Sequence, residues 1–233
     1  MSADKISKEK RNQEWLKKMQ EYLPVPEPEE EEILNKRFLI ICEGANTEKY
    51  YFEAFPVPSK VVEVFGGFGG GKVYLVNEAI KRAALPEYQG YEVWCVFDYD
   101  IKHDNERQSD DYNKAIITAE QHGFMVAFSN DAFELWLLLH YQYITNQHHR
   151  AEYYEMLTER WADFLNGQSY EKVGKSIFLC KSLYKKLEPD QPMAIKLAKR
   201  LHQAHFITTK YHEKNPCTTV YTLVEELNKY KLK

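Results

Sequence analysis

Four acidic residues stand where the character of the chain changes. In "RFLIICEGANTEKYYF", residues 37–52, an unbroken apolar run stops at Glu43, followed by Gly44, a polar turn and a further acid at Glu48. In "VFDYD", residues 96–100, a second apolar run ends on Asp98 and Asp100. Side chains alternate along a strand, so Asp98 and Asp100 share one side and Tyr99 points away. If the two runs are strands of one parallel sheet, they finish at the same edge and their carboxylates converge. Clustered acids without paired bases repel one another and stay ionised only beside a compensating cation. Oxygen-only ligation suits Mg²⁺ or Mn²⁺. Such an ion polarises a phosphoryl oxygen, activates water and stabilises a leaving oxygen. Each acid also has a plainer role: an Asp after a strand serves as a turn residue or cap, and Glu48 would suit the dipole of a helix's first turn.

The elements that must position these acids alternate. The strands are expected at residues 37–42, 60–65, 91–98 and 124–129. Helices follow them at 47–55, 73–85, 110–122 and through "DAFELWLLLHY", residues 131–141. Unbroken apolar strands alternating with helices predict an α/β fold, a mainly parallel four-stranded sheet flanked by helices. Ligands of such folds bind at the carboxyl ends of the strands. After Asn146 strand signals fade, and helices are expected over 152–165, 177–187, 193–205 and 218–229. The chain thus divides into an N-terminal helical arm with a Pro-rich acidic linker (residues 1–36), a core (37–145) and a basic C-terminal helical appendage (146–233).

The chain has 233 residues and a formal net charge of −4. Its first 145 residues are acidic overall and its remainder basic, the contrast expected if acids hold cations and bases hold phosphates. Lys72, Lys175, Lys181, Lys185, Lys186, Lys199 and Arg200 are the candidate nucleic-acid contacts. Phe178, Tyr184, Phe206 and Tyr211 are interleaved with the basic residues of the C-terminal part; a core role is expected for these aromatics and phosphate binding for the basic face. "GGFGGGK", residues 66–72, departs from a phosphate-binding nucleotide loop in spacing and lacks its hydroxyl. It reads as a mobile loop over the cleft or as connecting slack, with Lys72 a candidate phosphate contact. The four cysteines are too far apart for a zinc knuckle or a disulfide scaffold, and the histidine pairs His148–His149 and His202/His205 lack completing ligands. No apolar run reaches membrane-spanning length and no signal core is present, so a cytoplasmic location is expected.

"CEGANTEKYYF" with "VFDYD" resembles the TOPRIM fold, the metal-dependent catalytic domain of topoisomerases, primases and several nucleases. More closely, "FLIICEGANTEKYYF", "FDYD", "SNDAFELWLLLHY" and "NPCTTVYTLVEEL" resemble, in order, the RloB-like family of bacterial defence proteins. The resemblance implies an Mg²⁺- or Mn²⁺-dependent nuclease acting on RNA, with tRNA a candidate, or on DNA. In it Glu43 is the general acid/base or a metal ligand, Asp98 and Asp100 are metal ligands, and Glu48 lies beside the site. Glu134 either closes a capping box begun by Asp131 or, as the "FELWLLLH" match implies, faces the cleft and assists catalysis. Where the family carries Ser-Asn-Pro, this chain has Ser129-Asn130-Asp131, which adds an acid near the site. Nucleic acid, a partner ATPase and a second copy of the chain are the expected partners, with no membrane. A binding or regulatory subunit that does not cut is the alternative.

Overall fold

The computed structural model describes residues 36–100 and 106–232. The expected N-terminal arm and most of its linker, residues 1–35, lie outside them. Helices and strands alternate as β1 (Arg37–Cys42), α1 (Thr47–Glu53), β2 (Val62–Phe65), α2 (Lys72–Ala83), β3 (Tyr91–Asp98), α3 (Glu106–Gln121), β4 (Met125–Asn130) and α4 (Glu134–Leu139). They continue as α5 (Arg150–Arg160), α6 (Tyr170–Val173), α7 (Ile177–Leu187), α8 (Gln191–Ala204), β5 (Cys217–Thr218) and α9 (Val220–Asn228).

The sheet order is β2-β1-β3-β4-β5. The first four strands are parallel, and β5 closes the β4 edge antiparallel, with Ser129 opposite Thr218 and Asn130 opposite Cys217. The sheet therefore has five strands rather than the expected four. The missing one comes from the region read as purely helical, and at two residues it carries no periodicity to detect. Thr218 and the Thr219 that follows it secure the strand: Thr218 Oγ1 donates to the Phe128 carbonyl at 3.1 Å, the Thr219 N–H donates to the same carbonyl and the Phe128 N–H to Thr219 Oγ1, the last two at 2.9 Å.

The unbroken apolar runs follow from burial on both faces. On one face Leu39 and Ile41 of β1 join Val93, Cys95 and Phe97 of β3 under α2 and α3, through Leu75, Val76, Ala79, Tyr112, Ala115 and Ile116. The alternate residues Phe38, Ile40 and Cys42 are equally buried on the opposite face. There Tyr51 and Phe52 of α1 meet Phe133 ahead of α4, and the Tyr51 ring also meets Tyr184 of α7. Burying each large apolar side chain is worth about 1.5–3 kcal/mol, which fixes the register of the central pair β1–β3.

This topology decides where a ligand can sit. From β1 the chain crosses outward to β2, then returns past β1 to β3, so the strand order reverses between β1 and β3. A crevice opens outside the carboxyl ends of strands at such a switch point. Glu43 follows β1 and Asp98 ends β3.

Candidate functional site: an acidic cavity at the β1–β3 switch point

β1 and β3 remain joined to their ends: the Glu43 N–H donates to the Val96 carbonyl at 2.9 Å. Beyond Glu43 the chain turns into α1, whose first turn carries Glu48. A Cβ built on Gly44 would overlap the Glu48 carboxylate, so the glycine makes room for this buried group. Asn46 precedes α1 but does not cap it through its side chain; its amide donates to the Lys175 carbonyl at 2.9 Å and ties α1 to the start of α7. Glu48 thus sits in a first helical turn and also lines the cavity.

Asp98 accepts the Phe133 N–H on Oδ2 at 2.9 Å. Tyr99 turns away into the core beside Tyr112, as alternation requires. Asp100 then adopts φ of 57°, a left-handed conformation that Asp tolerates better than most residues. Its N–H donates to the Asp131 carbonyl at 3.1 Å, and its own carbonyl accepts from the Gln108 amide. Glu134 opens α4, is buried, and accepts the Tyr170 hydroxyl at 3.2 Å. The Asp131–Glu134 capping box does not form: Phe133 occupies the cap position, and Asp131 Oδ2 accepts the Arg150 N–H at 3.0 Å. Asp131 is therefore not a first helical residue, and Glu134 is a cavity residue.

Glu43, Glu48, Asp98, Asp100 and Glu134 line one cavity of about 260 Å³, together with Arg150, Tyr154 and Lys175. Burial pushes the Asp98 carboxyl well above the usual carboxylate range, and the charges of Glu48 and Glu134 add to it. Burial likewise raises Glu134, and it raises Glu48 to about 7 with help from Glu134 and Glu43. Arg150 opposes the shift at Asp98, and Lys175 those at Glu48 and Glu134. The cavity thus holds more acid than its bases compensate.

One basic side chain stands where the sequence did not place it. Lys72, the first residue of α2, has a side chain only 7% exposed. Its ammonium donates to both Glu43 oxygens at 2.6 and 2.7 Å and to Asp100 Oδ2 at 3.0 Å. Lys72, the candidate phosphate contact, is thus engaged by two carboxylates. In the glycine loop φ is 132° at Gly70 and 129° at Gly71, values that favour glycine. The Asp111 carboxylate then accepts the N–H groups of Lys72 and Val73, capping α2 from α3. The Arg150 guanidinium pairs with the other Asp100 oxygen.

Of the remaining basic candidates, only Lys175 lines the cavity. The Lys181 ammonium sits 5.2 Å from the centre of the Tyr50 ring, and Lys185 is exposed on the same helix. Lys186 covers the Phe164 ring, Lys199 pairs with Glu225 at 2.6 Å, and the Arg200 guanidinium stacks over Tyr143. Sequence reasoning missed Arg150, Tyr154 and Tyr170, whose approach to the cavity depends on how α5 and α6 pack and leaves no local signal. Among the aromatics, Tyr184 is buried as expected, whereas Phe178 and Phe206 are 87% and 88% exposed. The histidine pairs serve local roles: His149 caps α5, His148 pairs with Glu152, and His202 meets the Tyr221 hydroxyl.

Carboxylate oxygens are the donors a hard divalent ion takes, and the surplus of buried acid is the charge such an ion relieves. Glu43, Asp98, Asp100 and Glu48 could supply these oxygens. As they stand, no three His, Cys, Asp or Glu side chains among the described residues come together closely enough to grip an ion. Between Glu43 and Asp100 the Lys72 ammonium takes the cation's place.

The titration of Glu48 carries a testable consequence. Its folded value, about 7, lies above the roughly 4.3 of an unfolded chain. As pH rises from about 4, the unfolded chain therefore loses this proton first, and the folded state loses stability until about pH 7. In chelator, Glu48→Gln is expected to flatten that decline and to gain roughly 2–3 kcal/mol at about pH 8, with little change near pH 4. Urea melts at the two pH values read the difference, and an unchanged pH dependence would contradict the assignment.

The fold and cavity define a class, an α/β protein with a carboxylate-lined crevice at the switch point of a mainly parallel sheet. The family model for RloB-like protein matches residues 38–227, and the chain belongs to the RloB-like family. No curated protein and no solved structure matches the chain. No described helix is long and apolar enough to cross a membrane.

Proposed function

We propose that the chain is a TOPRIM-type, metal-dependent nuclease that cuts phosphodiester bonds in RNA or DNA, with tRNA the first substrate to test, as the effector of an anti-phage defence system in the cytoplasm. The observation that carries this reading is the meeting of Glu43, Glu48, Asp98, Asp100 and Glu134 in one cavity at the switch point. Asp98 and Asp100, with Glu43 and Glu48, would hold Mg²⁺ or Mn²⁺. Once bound, the ion would supply charge to the phosphoryl oxygens and lower the pKa of the attacking water.

The chain's own groups do the rest. Glu43 would hold or pass a proton once the Lys72 ammonium yields one of its oxygens. Glu134, kept in position by the Tyr170 hydroxyl, would assist from the same cavity. Arg150 fixes Asp100 through its guanidinium and the Asp131 side chain through its N–H. Lys175 offers a positive charge to a non-reacting phosphate.

A second reading has one observation in its favour. Because Lys72 already neutralises Glu43 and Asp100, the acids can be a structural cluster in a nucleic-acid-binding or regulatory subunit. The deciding experiment incubates the purified full chain with end-labelled tRNA and single-stranded DNA, in Mn²⁺ and in chelator, alone and with a partner ATPase. Cleavage in Mn²⁺ that stops in chelator is the expected result. Intact substrates throughout, with binding that survives chelation, would replace the nuclease with the binding subunit.

A further inference from the structure

We propose that the exposed Phe178 is a stacking platform for one unpaired base of a single-stranded nucleic acid, set beside the cavity mouth so that an adjoining phosphate lies on Lys175. The proposal rests on reading the cavity as a nucleic-acid site and adds how a strand is presented to it.

Helix α7 buries one stripe, Leu179, Cys180, Leu183, Tyr184 and Leu187. Phe178 lies off that stripe, so its 87% exposure follows from the helical period. Packing within the described fold thus leaves this ring open to solvent. Its surroundings narrow what would cover it. Lys175, three residues earlier, lines the acidic cavity. Lys181, three residues later, shares Phe178's side of the helix and reaches over the Tyr50 ring of α1. Lys49 reaches the same ring, at 4.7 Å. α1 also supplies Thr47 and Glu48 to the cavity wall. Three residues from the cavity lining, the chain therefore presents an open aromatic ring with Lys175 before it and Lys181 after it, while Lys49 is partly neutralised by Glu53 at 3.2 Å.

That combination matches a flexible polyanion with free bases. Lysines neutralise its backbone, and an aromatic face stacks with any base. A paired duplex keeps its bases stacked internally and has none to offer, and the acidic side chains of a peptide bring no aromatic face with each charge as a nucleotide does.

The test uses a single-stranded RNA containing 2-aminopurine, titrated with the full chain in chelator at low salt so that no cutting intervenes. Stacking should quench the fluorophore. Phe178→Ala is expected to abolish the quenching and weaken binding about 10-fold, while Phe178→Trp restores both. Phe206→Ala removes an equally exposed ring that follows α8, away from Lys175 and Lys181 in the chain, and should leave both unchanged. The proposal is overturned if Phe178→Ala quenches and binds like wild type, if wild type binds no single strand, or if the matching duplex competes equally well. Normal quenching without Mn²⁺-dependent cleavage would overturn the nuclease reading and leave the platform standing.

Discussion

Asp98→Asn combined with Asp100→Asn is expected to lower Mn²⁺-dependent cleavage by at least about 10³-fold while leaving the protein folded. Asparagine keeps the shape and, at residue 98, an oxygen to accept the Phe133 N–H. What disappears is charge. At Asp98 burial and the acidic neighbours already disfavour that charge, so a neutral amide suits the ion-free fold at least as well as the acid. At residue 100 the change weakens the pairing with Lys72 and Arg150, which costs some stability. Stability within about 1 kcal/mol of wild type, together with lost cleavage, would separate a chemical role from a structural one. Cleavage by the double variant at the wild-type rate would remove Asp98 and Asp100 from the chemistry.

Lys72→Met is expected to cost roughly 2–4 kcal/mol in chelator, since cutting one partner from a largely buried ion pair leaves the other charge unpaired. The lower part of that range reflects the side chains of Glu43 and Asp100, which are 17% and 25% exposed and draw some solvation from the cavity. The accompanying response to metal is diagnostic. A divalent ion that binds only the folded state stabilises it by mass action. With the ammonium gone, Mn²⁺ should raise the melting temperature of the variant more than that of wild type. Thermal melts with and without Mn²⁺ measure both effects. A variant as stable as wild type in chelator would show that the ammonium compensates nothing.

Much of this architecture was legible because it rests on local pattern. The runs at Phe38–Cys42 and Val93–Phe97 are apolar throughout, as strands covered on both faces must be, and each gives way to an acid where the sheet ends. Alternation placed Asp98 and Asp100 on one side with Tyr99 opposite, and the packing agrees. Lys72 could not be read in the same way. Its contacts with Glu43 and Asp100 span 29 and 28 residues, and they depend on where the crossover through β2 delivers the glycine loop. Glu134 was ambiguous because its spacing from Asp131 matches a cap that the backbone does not make. Phe178 was within reach: the stripe through Leu179, Leu183 and Leu187 excludes it, but its basic and apolar neighbours obscured the period.

The short strand β5 bears on how the chain is made. It pairs Thr218 with Ser129, 89 positions away, and the Thr219 Oγ1 that follows it accepts the Phe128 N–H. During translation β4 emerges well before the segment that covers its outer side, so a growing polypeptide carries an unpaired strand edge beside the residues that lead to Asp131 and Glu134. A ribosome halted short of codon 217 would display that edge to other chains. Completing the tail both shields it and fastens the wall of the acidic crevice.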